Sequence, residues 1–563
     1  MIITDVTGTG ETLEVSENSG KIRFNVTGKT YSIDGGITTA FTTPAEVVLS
    51  GKNSITVNTA GGNDIINVGA FTTQLPTLTI NGGIGDDQVN MNGDITFVAN
   101  ANLDLDLQND DVNAGMDEVT MGDNATVSLS GTGTATIKAS KGIVANAGVN
   151  LSASSTISLI TNSIDIKNTA VISTNSASSV LLRPYTNGVN IDLGAATNSL
   201  GGPLSLSDDE LDRIKAGTLQ IGDANSGAIT ISAPISRAAA TNVNLTTAGA
   251  VNLNASALAT NGGNLVINAA GGINPTVAGT DVNVGTVSFA SGNDLAIAIN
   301  GTTADTDYHQ LNVAGSVNLS GLDLVLSGSH VPVLGQTFVL VNNDGSDAIQ
   351  GTFNGLPEGS TIAPFLGGQL NARISYVGGD GNDAVLTVIA SVELPANTAN
   401  VTICKNATAS LTASCKVGQV TWYNAAGTTQ LFVGSPLVTP ALTASTSYKV
   451  RCELAPQLSG FVDVMVTVVV PPTISLNTLQ QTLNEGNNPV LCDTDANSVN
   501  SLQFNVLISC VSGSPVWRVQ VGSGAWSNWS ATAPVSQPSN NQPHRYQAAF
   551  SGISSTRAWA AKS

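Results

Sequence analysis

The first 390 residues contain no cysteine and no tryptophan. All five Cys (Cys404, Cys415, Cys452, Cys492, Cys510) and all five Trp (Trp422, Trp517, Trp526, Trp529, Trp559) follow position 400. Two architectures are therefore joined near "SVELPANTAN", where Pro395 suits a linker. Charge is also scarce: 11% of residues are charged and 4% are aromatic. Disordered chains carry more charge and fewer β-branched residues, so this scarcity does not signal disorder. Basic residues are the rarest charges. There are 20 Lys plus Arg against 40 Asp plus Glu, and none of the basic type lies between Ala238 and Ala372. A nucleic-acid groove needs Lys and Arg against phosphate, so nucleic acid is excluded as a partner. No apolar run is long enough to span a bilayer, and no membrane insertion is expected. The opening "MIITDVTGTGETLEVSENSG" lacks the basic start and apolar run of a secretion signal. The chain reads as a mature form or, preferably, a fragment of something longer.

Short alternating strands ending in Gly, Asn or Asp turns fill the first region. Examples are "SITVNTAGGND", "TLTINGGIGDD", "GGNLVINAAGG" and "SVNLSGLDLVLSG". Alternation at period two marks strands with one buried face. Strands of four to six residues suit a coil around a thin core. The expected fold class is all-β: a parallel β-helix over residues 1–390, with coils of roughly 20–30 residues. Stacked ~4.8 Å apart, such coils would make a rod on the order of 70–90 Å. Asn-rich turns could form hydrogen-bonded ladders along it. One segment breaks the pattern. In "LSDDELDRIKAGTLQIGD", Ser207 and Glu210 fit a capping box, Leu206 and Leu211 a hydrophobic staple, and Gly217 a stop. A helix from about Asp208 to Ala216 is expected, as a decoration or plug.

Two nonapeptides, "GGIGDDQVN" (Gly82–Asn90) and "GGDGNDAVL" (Gly378–Leu386), fit the G-G-x-G-x-D-x-U-x pattern of calcium-binding β-rolls. A shortened turn, Gly61-Gly62-Asn63-Asp64, lies about one coil before the first, and Asp117 begins a similar "DEVTM". β-roll sites need ligands from consecutive coils. Asp64, Asp86 and Asp87 are therefore the candidate ligands for one Ca2+. The second nonapeptide has no neighbouring copy and reads as a closing turn. No other chemistry is legible. Asp104 and Asp106 share the outward face of "NLDLDLQ", which reads as a solvated face. His309, His330 and His544 are scattered, and no Ser/His/Asp or Cys/His grouping occurs. A glycosidase needs two carboxylates across a cleft, and the first region has no Trp platform. The chain is expected not to be an enzyme. The alternative is a glycan-active β-helix enzyme, a polysaccharide lyase or glycosidase, with accessory modules.

After the break, one module occurs twice. Cys415 and Trp422 have the same separation as Cys510 and Trp517. Trp422 to Tyr448 is 26 positions and Trp517 to Tyr546 is 29. Tyr448, Val450 and Cys452 share one strand face. Cys, Trp and a late Tyr strand suggest Ig-like β-sandwich modules at 391–472 and 473–563. Cys confined to small β-modules favours an oxidising, extracellular setting. Phe550 stands where the repeat predicts Cys, and the tail lacks the valine-rich strand seen at Phe461–Val470. The expectation is that the natural sequence was truncated or altered there.

Three resemblances add to this reading. "LSLSDDELDRIKAGTLQIGDANSGAITISAPIS" resembles a segment recurring in filamentous-haemagglutinin-like β-helix proteins. "LVNNDGSDAIQGTFNGLPEGSTI", continuing to "ISYVGGDGNDAVLT", resembles the closing motif of autotransporter-type repeat regions. The run from Thr402 to Cys452, "TIC…LTASC…VTWYN…TSYKVRC", resembles Ig-like repeats of large Bacteroidota surface proteins, including gliding-motility adhesins. Together they imply a non-enzymatic segment of a large bacterial surface or secreted protein. It would be a stiff spacer and display rod in adhesion or filament formation. Type IX secretion, a place at the cell surface, and partners among surface glycans, proteins or neighbouring copies in a filament are implied in the same way. Pairing of Cys415 with Cys452 is expected. Three Cys in this module allow three single pairings, so sequence leaves the pattern open.

Overall fold

The computed structural model describes residues 1–469 except 7, 27–28, 35–38, 41–43, 110–114, 195–201, 255–256, 277 and 456. Beyond 469 it describes the backbone of strands at 474–476, 481–483, 504–506, 515–521, 544–550 and 559–562, with residues 525, 527 and 528. The chain is all-β, with one short α-helix among the described residues, and divides into two compact units, Met1–Ile389 and Ala390–Ser563.

In the first unit the alternating segments form strands that pair in parallel with strands one coil away. Ile55 faces Leu78, Leu78 faces Leu103, and Leu103 faces Ala135. A second ladder sets Ile66, Val89, Val119 and Ile143 in file. Two further parallel ladders run through Val127–Leu151–Ile172 and through Ile229–Val251–Ile273. The side-chain period of two then puts every inward residue above another inward residue. Leu78, Ile80, Leu103 and Leu105 are buried, and one continuous apolar core runs from Ile3 to Val388.

Outward positions stack as well. Asn81 donates from its side chain to Asn58 Oδ1 at 2.7 Å, Asn90 to Asn67 at 2.8 Å, and Asn274 to Asn252 at 2.8 Å. These asparagines sit on strands, where sequence reading had placed the ladders in the turns.

Antiparallel strands bound the parallel part. Thr12–Asn18 pairs with Lys21–Asn25, and Ile2–Asp5 with Thr30–Ile33. At the other end Thr337–Asp344 and Asn371–Gly378 both pair antiparallel with Asp383–Ile389. The longest parallel file holds thirteen described strands, from Ile2–Asp5 to Thr337–Asp344. At ~4.8 Å per step it is about 60 Å long. The 70–90 Å expectation is too long because both ends of the unit form hairpins instead of coils.

The helix is also shorter than expected. The capping box is present, with Ser207 and Glu210 bonded reciprocally, but the helix runs only from Asp208 to Asp212. Ile214 is drawn back into a parallel ladder opposite Ile172, and this pairing ends the helix after one turn. Gly217 is not its stop. A Cβ there would strike the Ser176 carbonyl of a neighbouring coil.

In the second unit a mixed sheet runs Val401–Cys404, Val462–Val469, Thr446–Leu454, Gln419–Tyr423, Gln430–Val433. A two-stranded sheet of Ser410–Leu411 and Leu437–Val438 accompanies it. Trp422 is fully buried among Leu411, Val450, Val464 and Val466. Cys415 and Cys452 are joined by a disulfide, with Cα atoms 5.7 Å apart.

Further on, Trp517 faces Ala548 as Trp422 faces Val450. Phe550 lies opposite Pro515 as Cys452 lies opposite Val420, so the two strand pairs share one register. The side chains of this second pair, together with Cys492 and Cys510, lie outside the described residues.

The core is the dominant support of the first unit. Leu105→Ala empties a fully buried position and is expected to cost about 2–5 kcal/mol in urea unfolding. Asn67→Ala, which breaks outward ladder bonds, is expected to cost about 0.5–1.5 kcal/mol.

Candidate functional site: a buried carboxylate column

The aspartate turns lie where a strand begins in each of several successive coils. Asp64 precedes Ile65–Val68, Asp87 precedes Gln88–Met91, and Asp117 precedes Glu118–Met121. All three are buried. Asp64 Oδ1 accepts the Glu11 N–H at 2.9 Å, and Asp87 Oδ1 accepts the Asp64 N–H at 2.9 Å. Asp117 Oδ1 accepts the Asp87 N–H at 2.8 Å, and Ser140 Oγ accepts the Asp117 N–H at 2.9 Å. Each side chain thus caps the backbone of the coil before it. Asp117 also takes bonds from Gln108 and, at 3.1 Å, from Ser140 Oγ. At the other end Glu11 accepts from the Tyr31 hydroxyl and lies 3.4 Å from Lys29 Nζ.

Burial disfavours the ionised form of a carboxyl, and like charges add to the effect. Burial pushes Asp64 up to about 7, reinforced by the charges of Glu11 and Asp87 and opposed by the Glu11 N–H. Burial also raises Asp117 and Glu11. Far along the same unit, Asp281 repeats the arrangement. It accepts the Asn312 N–H at 2.7 Å, and burial pushes it up to about 7.

The three residues proposed for calcium do not come together. Asp86 is exposed, and its Oδ1 accepts the Met116 N–H at 2.8 Å. Asp64 and Asp87 point inward, each engaged with a backbone N–H. Among the described residues no three His, Cys, Asp or Glu side chains converge as metal ligands. A hard cation takes six to eight oxygens, whereas here N–H donors are aimed at the carboxylates. Asp64, Asp86 and Asp87 thus do not form one ligand set, and the buried aspartates fasten coil to coil.

The glycines have a separate cause. Gly83 and Gly85 have φ of +93° and +145°, where an L side chain is strained. Their Cβ atoms would also strike the carbonyls of Ala60 and Gly62 in the previous coil. The Gly62 N–H donates to Ile84 at 2.8 Å and the Ile84 N–H to Ala60 at 3.0 Å, so the turns stack backbone on backbone.

The second nonapeptide is the turn of the antiparallel hairpin. The Gly381 N–H donates to Gly378 at 2.7 Å, and Asp383 Oδ1 accepts the Asn343 N–H at 2.9 Å.

Elsewhere, Asp104 and Asp106 are half-buried on the outward face, with Asp106 paired to Lys138 at 3.3 Å. His330 bonds Gln336 at 3.0 Å and packs edge-on against Phe338. Sequence reading missed Glu11, Gln108 and Ser140 as members of the column. The available signal was a polar residue just before each alternating strand, as at Glu11-Thr12-Leu13.

Comparison with known proteins bears on the first part of the second unit. Residues 393–472 match the family model of the CHU_C-associated Ig-like domain. The buried Trp422 and the Cys415–Cys452 bridge lie inside that Ig-like match. Among solved structures, the chain is similar to DIP-gamma IG1+IG2 at 14% identity, covering 30% of this chain and 93% of that one, with a TM-score of 0.19. The human mucin-like protocadherin EC1-2 gives 12% identity, 30% and 94% coverage, and 0.18. Dpr2 Ig1-Ig2 in complex with DIP-Theta Ig1-Ig3 gives 12%, 34% and 79%, and 0.17. TM-scores this low carry no argument. No curated protein matches the chain.

Two outcomes test the column. Asp64 has a folded pKa of about 7, above the ordinary value near ~3.9 of an unfolded aspartate. The folded state therefore holds an extra proton between those values. Its contribution is full below ~4 and is lost as pH rises through about 7. The melting temperature is expected to be higher at pH 5 than at pH 8, and Asp64→Asn, which keeps the acceptor, should flatten that slope. Gly85→Ala is expected to cost about 1–3 kcal/mol through its backbone conformation, whereas a calcium chelator should leave the melt unchanged.

Proposed function

We propose that this chain is a non-enzymatic structural and adhesive segment of a bacterial surface or secreted protein. In this reading residues 1–390 form a parallel β-helix that acts as a stiff spacer, and Ig-like modules at 391–472 and 473–563 extend the display. The observation that carries it is the stacking of coil on coil through thirteen described strands, with Asn, Thr and Ser repeated on the outward positions. The parallel ladders support the β-helix. The CHU_C-associated Ig-like match, a Bacteroidota-type domain, supports a secreted or surface setting. A place in a gliding-motility adhesin or a filament, type IX export, and surface glycans, proteins or neighbouring copies as partners all belong to this proposal. The inward carboxylates favour it over a glycan-active enzyme, because they are engaged with backbone amides and do not face each other across a groove.

Antibody raised to this chain is expected to label fibres or patches on intact cells of the source bacterium under immunogold electron microscopy. Label found only in the culture medium would count against a cell-surface role. Release of reducing or unsaturated sugar from a polysaccharide panel by the purified chain would instead support the enzyme.

A further inference from the structure

One parallel ladder of the first unit ends without a closing strand. Its last strand, Asp323–Ser327, pairs in parallel with Asp294–Ala298 and, among the described residues, with no other strand. The neighbouring file ends differently, because Thr337–Asp344 is covered by the antiparallel strand Asp383–Ile389.

The consequence shows in the core. Leu295 and Ile297 are buried, whereas Leu324 and Leu326, stacked directly on them, are only half-buried. Beside them opens a cleft of about 450 Å3, lined also by Leu356, Ile362, Pro364 and Leu366. The backbone edge is open beyond Leu322, whose carbonyl accepts the Asn354 N–H at 2.7 Å. The Asp323 N–H donates to Asn293 at 2.8 Å, and the Ser327 carbonyl accepts from Ile299 at 2.8 Å, both in the preceding coil. Backbone groups alternate in direction along a strand. Those of Leu324 and Leu326 therefore face the free side.

We infer that this edge takes an extended segment of a partner polypeptide, which adds the missing parallel strand and fills the cleft. The register dictates the pattern of the segment. Its residues above Leu324 and Leu326 must be apolar, because that column points into the core. The residue above Val325 points outward and is unconstrained. The residue above Asp323 should be Lys or Arg. Asp294 and Asp323 are stacked there, and the chain has no basic residue from Ala238 to Ala372 to balance them. The recognised pattern is thus basic, apolar, any residue, apolar, read parallel to Asp323–Ser327.

The probe is a fluorescein-labelled peptide reading lysine, valine, threonine, valine, threonine, titrated with the full chain by fluorescence anisotropy. Saturable binding is expected, weakening with added salt. A scrambled peptide with its valines adjacent should bind at least tenfold more weakly. Leu366→Asp places charge in the cleft at a backbone (φ 48°) that Asp tolerates. Asp323→Lys, at a half-exposed position, sets like charge against the peptide's lysine. Each variant that melts as the parent does should lose tenfold or more in affinity. Three results would overturn the inference: equal binding of the scrambled peptide, undiminished binding by both variants, or a parent dimer in sedimentation that Leu366→Asp dissociates. The last would assign the edge to a second copy.

Discussion

The first unit depends on parallel backbone pairing between coils that are usually 22 to 32 residues apart. A parallel ladder has even spacing and no freedom of register once one face is buried. Every inward position must then present an apolar side chain above another, and every turn must fit over the turn before it. The rest of the unit follows from these two demands. Short strands, repeated small turns and a thin continuous core are the ways in which this chain meets them.

The aspartate column meets the second demand at the turns. A backbone N–H at the start of a strand points toward the next coil, where no strand residue is yet placed to accept it. Left buried and unpaired, each would cost about 1–3 kcal/mol. Asp64, Asp87 and Asp117 accept these N–H groups one coil at a time. Burial raises the proton affinity of Asp64 and Asp117 in return, and the charges of Glu11 and Asp87 add to the effect at Asp64. The same residue type can serve calcium in tandem glycine-rich rolls. Here the carboxylates face N–H donors, and the only outward member, Asp86, is held by a different amide.

The Ig-like part is stabilised differently. Its core is a single buried tryptophan with apolar neighbours, reinforced by one disulfide that links positions 37 apart. A short domain with so small a core gains most from a cross-link. The change in Cys and Trp usage near residue 391 is the compositional trace of that change in strategy. The Trp422 and Trp517 strand pairs share one backbone register.

Much of this was legible from local pattern. Period-two alternation marked the strands, the Ser207–Glu210 pair marked a helix start, and Cys and Trp marked the boundary between units. These are short-range properties that each segment carries by itself. The tertiary structure decided which distant segments stack. Pairing of Ile214 with Ile172 cut the expected helix to one turn. The hairpin at Gly378–Asp383 closed one end, and the asparagine ladders settled on strands. Adjacent Asp86 and Asp87 went to opposite environments because neighbouring strand-edge side chains alternate between core and solvent. Strand character is thus written residue by residue. The partners of a carboxylate or of a strand edge depend on coils 20 or more positions away, and only the fold brings those into contact.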